Sequence, residues 1–454
     1  MKNYTDKFTL LYLALFSLVS VFSFAQNQPK AFGRTIQDVN QENGLIRCVS
    51  AEYEEYLQEQ YPERNTSEQF EQWIAPKIEA VKAQRMAAPE GTTAVITIPV
   101  VVHVIHNGDA VGSNENIADA QVLSQITVLN QDFRRMAGTP GANSNPVGAD
   151  VEIEFCLAKV DPDGNPTNGI NRVNLGQASW NNESSIEWTM KASTQWDPSL
   201  YFNIWVCNFG GSMSQILGYA QFPDSSGLPG LNSNMGSSAT DGVVIGYQYF
   251  GSSAIYPSGS YAPPYNRGRT TTHEIGHALG LIHIWGDSSN CNVDDYCADT
   301  PSASAPNYGC SFNFSCQSVD MIENYMDYTN DACMNIFTQN QKARMLAVMQ
   351  NSPRRASLVT SDVCQLGLSN EDFELLNGIN IYPNPTQNVL NIAVKNGELP
   401  DDYVIYNSLG QVMVSTNVNS DAQLQVNTSS YSNGIYFIRI NKGSQTKTVK
   451  FIKN

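Results

Sequence analysis

HEIGHALGLIH, residues 273–283, holds three of the five histidines in a chain of 454 residues. His273 and His277 are four positions apart, and His283 follows six later. Four positions is close to one helical turn, so on a helix both imidazoles project from one face and can share a metal at about 2.0–2.1 Å. The gap of six does not suit a straight helix. Gly280 can end the helix in a left-handed turn and send the chain back, so that His283 brings a third nitrogen. The preceding threonines, Thr270 to Thr272, read as the helix cap. Glu274 is rotated away from the pair yet can reach a water held there. Three neutral imidazoles that leave one position open make a hydrolytic zinc site. The expected chemistry is peptide-bond hydrolysis by a zinc-bound water, with Glu274 as general base and proton carrier to the leaving amine. HExxH alone arises by chance on ordinary helices; the added glycine and third histidine make the longer pattern far more specific.

The formal net charge is −17. That speaks against a nucleic-acid partner, which calls for basic stripes, and is compatible with bound cations and basic protein substrates. An acidic solvated surface is the plain reading of most of it. At the start, Lys2 and Lys7 precede an apolar run over 8–24, with small residues at Ser23 and Ala25. This reads as a secretory signal peptide over 1–25. No later run approaches the ~18 apolar residues of a membrane span, so no transmembrane segment is expected in the mature chain. Export permits disulfides among the nine cysteines,. Five of them lie from Cys291 to Cys333, which marks a stapled segment. Nine is odd, so at least one lacks an intramolecular partner, and Cys48, far from the rest, is the candidate.

Residues 26–88 are polar, rich in Glu and Gln, and helical in pattern,. At Thr93 the character changes: TTAVITIPVVVHVIHNG, from residue 92, is strongly β-forming,. An amphipathic helix follows over 119–136, with Asp119 as its N-cap. Further strands are expected at VEIEFCLA (151–158), LYFNIWVCNF (200–209), ILGYAQFP (216–223) and DGVVIGYQYF (241–250),. The order implies a sheet with helices packed on one face. His103 and His106, on the first strand, read as structural. Residues 287–318 lack regular periodicity, and Thr338 caps a helix over 338–350. Residues 366–378 read as a linker. Short strands between Asn, Gly and Ser turns then suggest an all-β, Ig-like sandwich over 379–454.

NYMDY, residues 324–328, adds a second motif downstream of the histidines. With HEIGHALGLIH, DDYCADTP (294–301), NYMDYTNDACMNIFT (324–338) and the helix carrying ARM (343–345), the sequence resembles the pappalysin family of metzincins, nearest its ulilysin-like and cytophagalysin-like prokaryotic branch,. The resemblance spans roughly 45–365. It implies an α+β metzincin catalytic domain over 89–365: a twisted mixed sheet with an active-site helix, above an irregular lower subdomain. A short helical pro-segment over 26–88 would keep it a zymogen. Met326 would underlie the zinc ligands, Tyr328 would stabilise the tetrahedral intermediate, and an edge strand at ILGYAQFP would pair with extended substrate. Asp331 falls where this branch carries an acid that selects Arg or Lys at P1′; a surface aspartate is the alternative. Asp295 and Thr300, with the carbonyls of Asp294 and Ala298, fall where the family binds calcium; an uncomplexed acidic loop is the alternative. Family spacing pairs Cys291 with Cys316 and Cys310 with Cys333. Cys156, Cys207, Cys297 and Cys364 are left for two more bonds, with connectivity open.

NGLIRCVSAEYEEYL, residues 43–57, resembles the family's pro-segment, in which a cysteine takes the fourth position on zinc,. Cys48 is then a latency switch, or else a free or intermolecular thiol. An activating cut is expected within 84–90, with Gln84–Arg85 attractive to a protease that prefers Arg at P1′. INIYPNPTQNVLNI, YNSLGQVM, SSYSNGIYFIRINKG and TKTVKFIKN resemble the sorting domain of type IX secretion cargo over 379–454. That implies Sec export, then the type IX machinery, to a secreted or cell-surface site. The competing readings are an accessory β-sandwich for the tail and, for the whole chain, a non-catalytic adhesin or matrix-binding protein. The presence of both Glu274 and Tyr328 favours an enzyme acting on protein or peptide substrates.

Overall fold

The computed structural model describes residues 28–87, 94–225, 238–365, 379–394, 399–443 and 445–454. The signal-peptide reading, the 366–378 linker and the far end of the 84–90 activation stretch lie outside them. The chain divides into two compact units, Met1–Gln365 and Leu366–Asn454.

In the first unit the apolar run ITIPVVVHVIH forms the central strand β1, Ile96–His106, nearly all of it buried. A helix, α3 (Asp119–Phe133), and strands β2 (Ile153–Leu157), β3 (Ile170–Asn174), β4 (Phe202–Cys207), β5 (Gly218–Ala220) and β6 (Val243–Gly246) follow. The sheet order is β2-β1-β4-β6-β5, with β3 also paired to β1. All pairings are parallel except β5 against β6, so β5 is an antiparallel edge strand. It lies within the stretch expected to be the substrate-pairing edge.

Side chains alternate across the sheet, as strand geometry requires. Val100, Val102, Val104, Ile204 and Val206 face a core shared with α3 and with α4 (Arg269–Ala278), α5 (Gln339–Asn351) and α6 (Pro353–Leu358). Trp205, Cys207, Tyr219 and Val244 face the other way, into a second core. The N-terminal segment covers that outer face with Phe32, Val49, Tyr53 and Leu57. Its helical stretch is two helices, α1 (Ser50–Gln60) and α2 (Ser67–Ala87), broken around Pro62.

Three local expectations need correction. The N-cap of α3 is Ala118, with Asp119 inside the first turn. The cap of α4 is Gly268, in the left-handed region at φ 83°, and Thr270 to Thr272 are buried within the helix. The four leftover cysteines make one bond rather than two: Cys156 joins Cys364, while Cys207 and Cys297 are buried free thiols, as is Cys48. Thr338 does cap α5, in a reciprocal capping box with Gln341,. The second unit holds a sheet of three antiparallel strands and one of four around a core that includes Leu390, Ile405, Ile438 and Phe451.

Candidate metal centre

Helix α4 stops at Ala278, and Gly280 takes φ 90°, the left-handed turn the histidine spacing called for,. The chain returns, and the Nε2 atoms of His273, His277 and His283 converge to 3.1–3.2 Å of one another. Each Nδ1 is engaged elsewhere. His273 Nδ1 donates to the Tyr325 carbonyl at 2.7 Å, His277 Nδ1 to the Leu281 carbonyl at 2.9 Å, and His283 Nδ1 to the Asp287 carboxylate. This fixes the tautomer, so three Nε2 lone pairs point at one another. Lone pairs repel, and a cation held between them removes that repulsion. Three nitrogens about 2.0–2.1 Å from one ion at tetrahedral angles stand about 3.3 Å apart, close to what is seen. The donor set fits zinc.

Cys48 Sγ completes a buried four-ligand group with these histidines, the one such His/Cys/Asp/Glu cluster among the described residues. It also lies 3.3 Å from Glu274 Oε2 and 3.1 Å from Ser50 Oγ. Ser50 Oγ donates to Glu274 Oε2 at 2.8 Å and accepts the Ala220 N–H of the edge strand at 2.8 Å. The other oxygen, Oε1, is buried without a partner. Burial raises the Glu274 carboxyl to about 7, against the pull of its Ser50 and Cys48 hydrogen bonds,.

Beneath the helix, a Cβ added at Gly276 would stand 2.5 Å from Met326 Sδ, so only glycine lets this turn rest on the methionine. Asn324 Oδ1 accepts the Met326 N–H at 2.9 Å and holds the turn. The Tyr328 ring stands 4.9 Å from that of His283, and its hydroxyl reaches the Cys48 carbonyl at 3.4 Å.

Asp331 is buried behind the centre rather than exposed on a loop. Its Oδ2 accepts backbone N–H groups from Arg267 (2.8 Å) and Arg269 (3.2 Å) at the start of α4, where the helix dipole favours negative charge,. Its Oδ1 accepts from Arg47 Nη1 at 2.9 Å, both side chains fully enclosed. The Arg47 guanidinium also lies over the Tyr265 ring. The segment carrying Arg47 runs parallel to the edge strand, with Ile46 paired to Ile216.

The acidic loop folds onto itself. Asp295 Oδ1 accepts from Thr300 Oγ1 (2.5 Å) and the Cys297 N–H (3.0 Å), while Oδ2 is buried and unpartnered. Burial lifts the Asp295 carboxyl to about 7. Asp294 and Ala298 are exposed. Disulfides join Cys291 to Cys316 and Cys310 to Cys333. Gln84 and Arg85 lie inside α2, and Arg85 pairs with Glu152, so this bond is helical rather than extended. Sequence reasoning missed Arg47, Ser50, Gly276, Tyr325 and Asp287. Only Asp287, four past His283, carried a local signal.

Converging imidazoles, an adjacent buried glutamate and a methionine-floored turn define a zinc peptidase of the metzincin type. Two family models match the chain: pregnancy-associated plasma protein-A over residues 188–350, and the secretion system C-terminal sorting domain over 380–454. An extracellular metalloprotease of Arthroderma otae is 32% identical over 275 residues, covering 60% of this chain and 84% of that protein. One from Verticillium alfalfae is 33% identical, covering 59% and 82%. Among solved structures, mature mirolysin of Tannerella forsythia with a cleaved peptide is 39% identical with TM-score 0.50, covering 62% of this chain and 98% of that one. A promirolysin mutant of the same organism is 38% identical with TM-score 0.51, covering 65% and 93%. The chain belongs to the pappalysin family of metalloproteases. It is a secreted zinc endopeptidase with a type IX sorting tail, which sets aside the adhesin reading. Among the described residues no helix is long and apolar enough to cross a membrane.

Proposed function

We propose that the chain is a latent endopeptidase that cleaves before Arg or Lys and is held inactive by residues 26–88. The observation that carries this is the convergence of three Nε2 atoms with every Nδ1 engaged, beside Glu274 and under Cys48. His273, His277 and His283 hold zinc, which supplies Lewis acidity and lowers the pKa of a water in the site. With the metal bound, Glu274 is the carboxylate placed to take that water's proton and hand it to the leaving amine. The Tyr328 hydroxyl donates to the developing oxyanion. Met326 supports the ligands from below.

Asp331 selects the P1′ residue. Its carboxylate is anchored on one oxygen and presents the other to a guanidinium, as the Arg47 contact illustrates,. In the latent form Arg47 fills that pocket, Cys48 takes the fourth ligand position, and Ser50 ties up Glu274. An antiparallel substrate strand would run opposite to this parallel segment, so Arg47–Cys48 is not offered as a scissile bond,. Cutting at Gln84–Arg85 requires the end of α2 to unwind first.

Expected outcome: full-length Cys48→Ala hydrolyses a fluorogenic Arg-containing peptide before any processing, about 100-fold faster than the unprocessed wild type, since thiolate is a strong zinc ligand. Equal latency in the two would remove Cys48 from this role. We also propose that Asp294, Asp295, Ala298 and Thr300 hold calcium, supported by the unpartnered Asp295 Oδ2. EGTA then lowers the melting temperature, and an unchanged melt counts against the site. The C-terminal sheets are read as an Ig-like sandwich, with domain limits at 89–365 and 379–454.

A further inference from the structure

The outer face of the sheet carries a charged pair that the hydrolytic chemistry does not use. Residues Ile186–Lys191 form a π-helical turn, a rare geometry that recurs at functional sites,. It holds Glu187 and Lys191 side by side, 2.7 Å apart and only 2% and 0% exposed. Glu187 Oε1 also accepts from the Tyr219 hydroxyl at 2.5 Å, and Oε2 accepts from the Tyr53 hydroxyl at 2.5 Å. The Lys191 ammonium lies 5.1 Å from the Tyr53 ring centre and 4.8 Å from that of Tyr219. Tyr53 thus fills a socket: its ring lies against a cation and its hydroxyl reaches a carboxylate.

Two of those walls belong to the catalytic unit, but Tyr53 belongs to the N-terminal segment. Among the described residues, Phe32 and Tyr56 of the same segment pack beside it. If that segment leaves on activation, Glu187 Oε2 loses this donor and the socket opens beside the edge strand. The opened carboxylate then offers an acceptor position to water or to a ligand hydroxyl that displaces it. Tyr219 lies on β5 and points to the outer face, whereas a Cβ at Gly218 would approach Glu274 on the inner one. A substrate that adds a strand to β5 must alternate its side chains in the same way. Some therefore point inward to the metal, and the neighbouring ones point outward to the socket.

We propose that Glu187, Lys191 and Tyr219 form a substrate subsite that takes a tyrosine side chain upstream of the scissile bond. The assignment rests on the reading of residues 26–88 as a removable inhibitor and of Asp331 as the P1′ pocket. Arg47 and Ser50 flank Cys48. Ile46 bridges Ile216 and Ser50 Oγ accepts the Ala220 N–H, so the chain passes along the edge strand from Arg47 on Asp331, through Cys48 at the metal ligands, into α1, which carries Tyr53 in the socket. The occupant needs a flat ring for the ammonium and a hydroxyl for the carboxylate. Tyrosine has both; phenylalanine lacks the donor. Sites built around such a hydroxyl reject the analogue without it.

The test uses protein produced as the full chain and then activated, digesting a peptide library with Arg fixed after the scissile bond. At one upstream position tyrosine is expected to exceed phenylalanine by about tenfold or more. Glu187→Gln should reduce that ratio toward one while cleavage before Arg persists. Because Glu187 is buried, a second variant guards against misfolding: Tyr53→Phe removes one hydroxyl from the latent chain and should speed its activation several-fold. Efficient cleavage before Arg with no tyrosine preference upstream overturns the subsite and leaves the proposed function standing. So does a preference unchanged in folded Glu187→Gln, or an unchanged activation rate in Tyr53→Phe. Failure to cleave before Arg or Lys at all overturns the proposed function, and the subsite with it.

Discussion

The stretches His273–His283 and Arg47–Ser50 meet at the same few atoms and reach them in opposite ways. The first is local. Helical spacing, one left-handed glycine and a return bring three nitrogens together within eleven residues; the Leu281 carbonyl inside the stretch fixes one tautomer, and the Tyr325 carbonyl, 52 positions from His273, fixes another. The second is assembled over long range. Arg47 finds Asp331 across 284 positions, and Cys48 finds Glu274 across 226. A reactive centre written locally keeps its geometry when another part of the chain departs. If residues 26–88 inhibit as proposed, a segment held by such distant contacts can be removed without disturbing it.

That contrast can be broken most sharply at Glu274. Its conservative replacement, Glu274→Gln, keeps the shape and loses the base. Hydrolysis of a fluorogenic peptide should fall by about 10²–10⁴-fold, with the zinc content unchanged. Retained turnover would show that the local stretch supplies only the metal. A smaller effect separates the sheet from both stretches. His103 is fully enclosed, with Nε2 donating to Asn203 and Nδ1 accepting from Asn171. Burial pushes it down to about 4, against the Asn203 hydrogen bond. Between about pH 6.5 and 4 the unfolded chain therefore binds the proton and the folded chain does not,. Stability contributed above pH 6.5 is lost as the pH falls through that window, by up to about 3 kcal/mol. Denaturant titrations of wild type and His103→Gln across this range should diverge toward neutral pH; parallel curves would exclude the effect.

Legibility in the sequence follows the same divide. The metal stretch, the Gly280 turn, the order of strands and the Thr338 cap depend on near neighbours or on simple periodicity. The threonines before His273 misled because Gly268, in the left-handed region, ends the preceding loop and leaves them inside the helix. Cys207 was hidden because a strand residue that faces an apolar core looks the same as one awaiting a disulfide. Arg47 was an ordinary arginine beside a notable cysteine until folding buried it against Asp331. Gly276 carried no signal in the sequence, although its missing side chain is what admits Met326.

The most direct measurement is the sequence of new N-termini released from a denatured protein by activated wild type and Asp331→Ala, with and without 1,10-phenanthroline. The wild type should yield fragments that begin with Arg or Lys, and the chelator should abolish them. In Asp331→Ala, cleavage before Arg should fall about 10²–10³-fold, the cost of removing one partner from a buried charge pair. Fragments that persist under chelator, or that show no basic residue at the new N-terminus, would contradict a zinc peptidase whose specificity resides in Asp331.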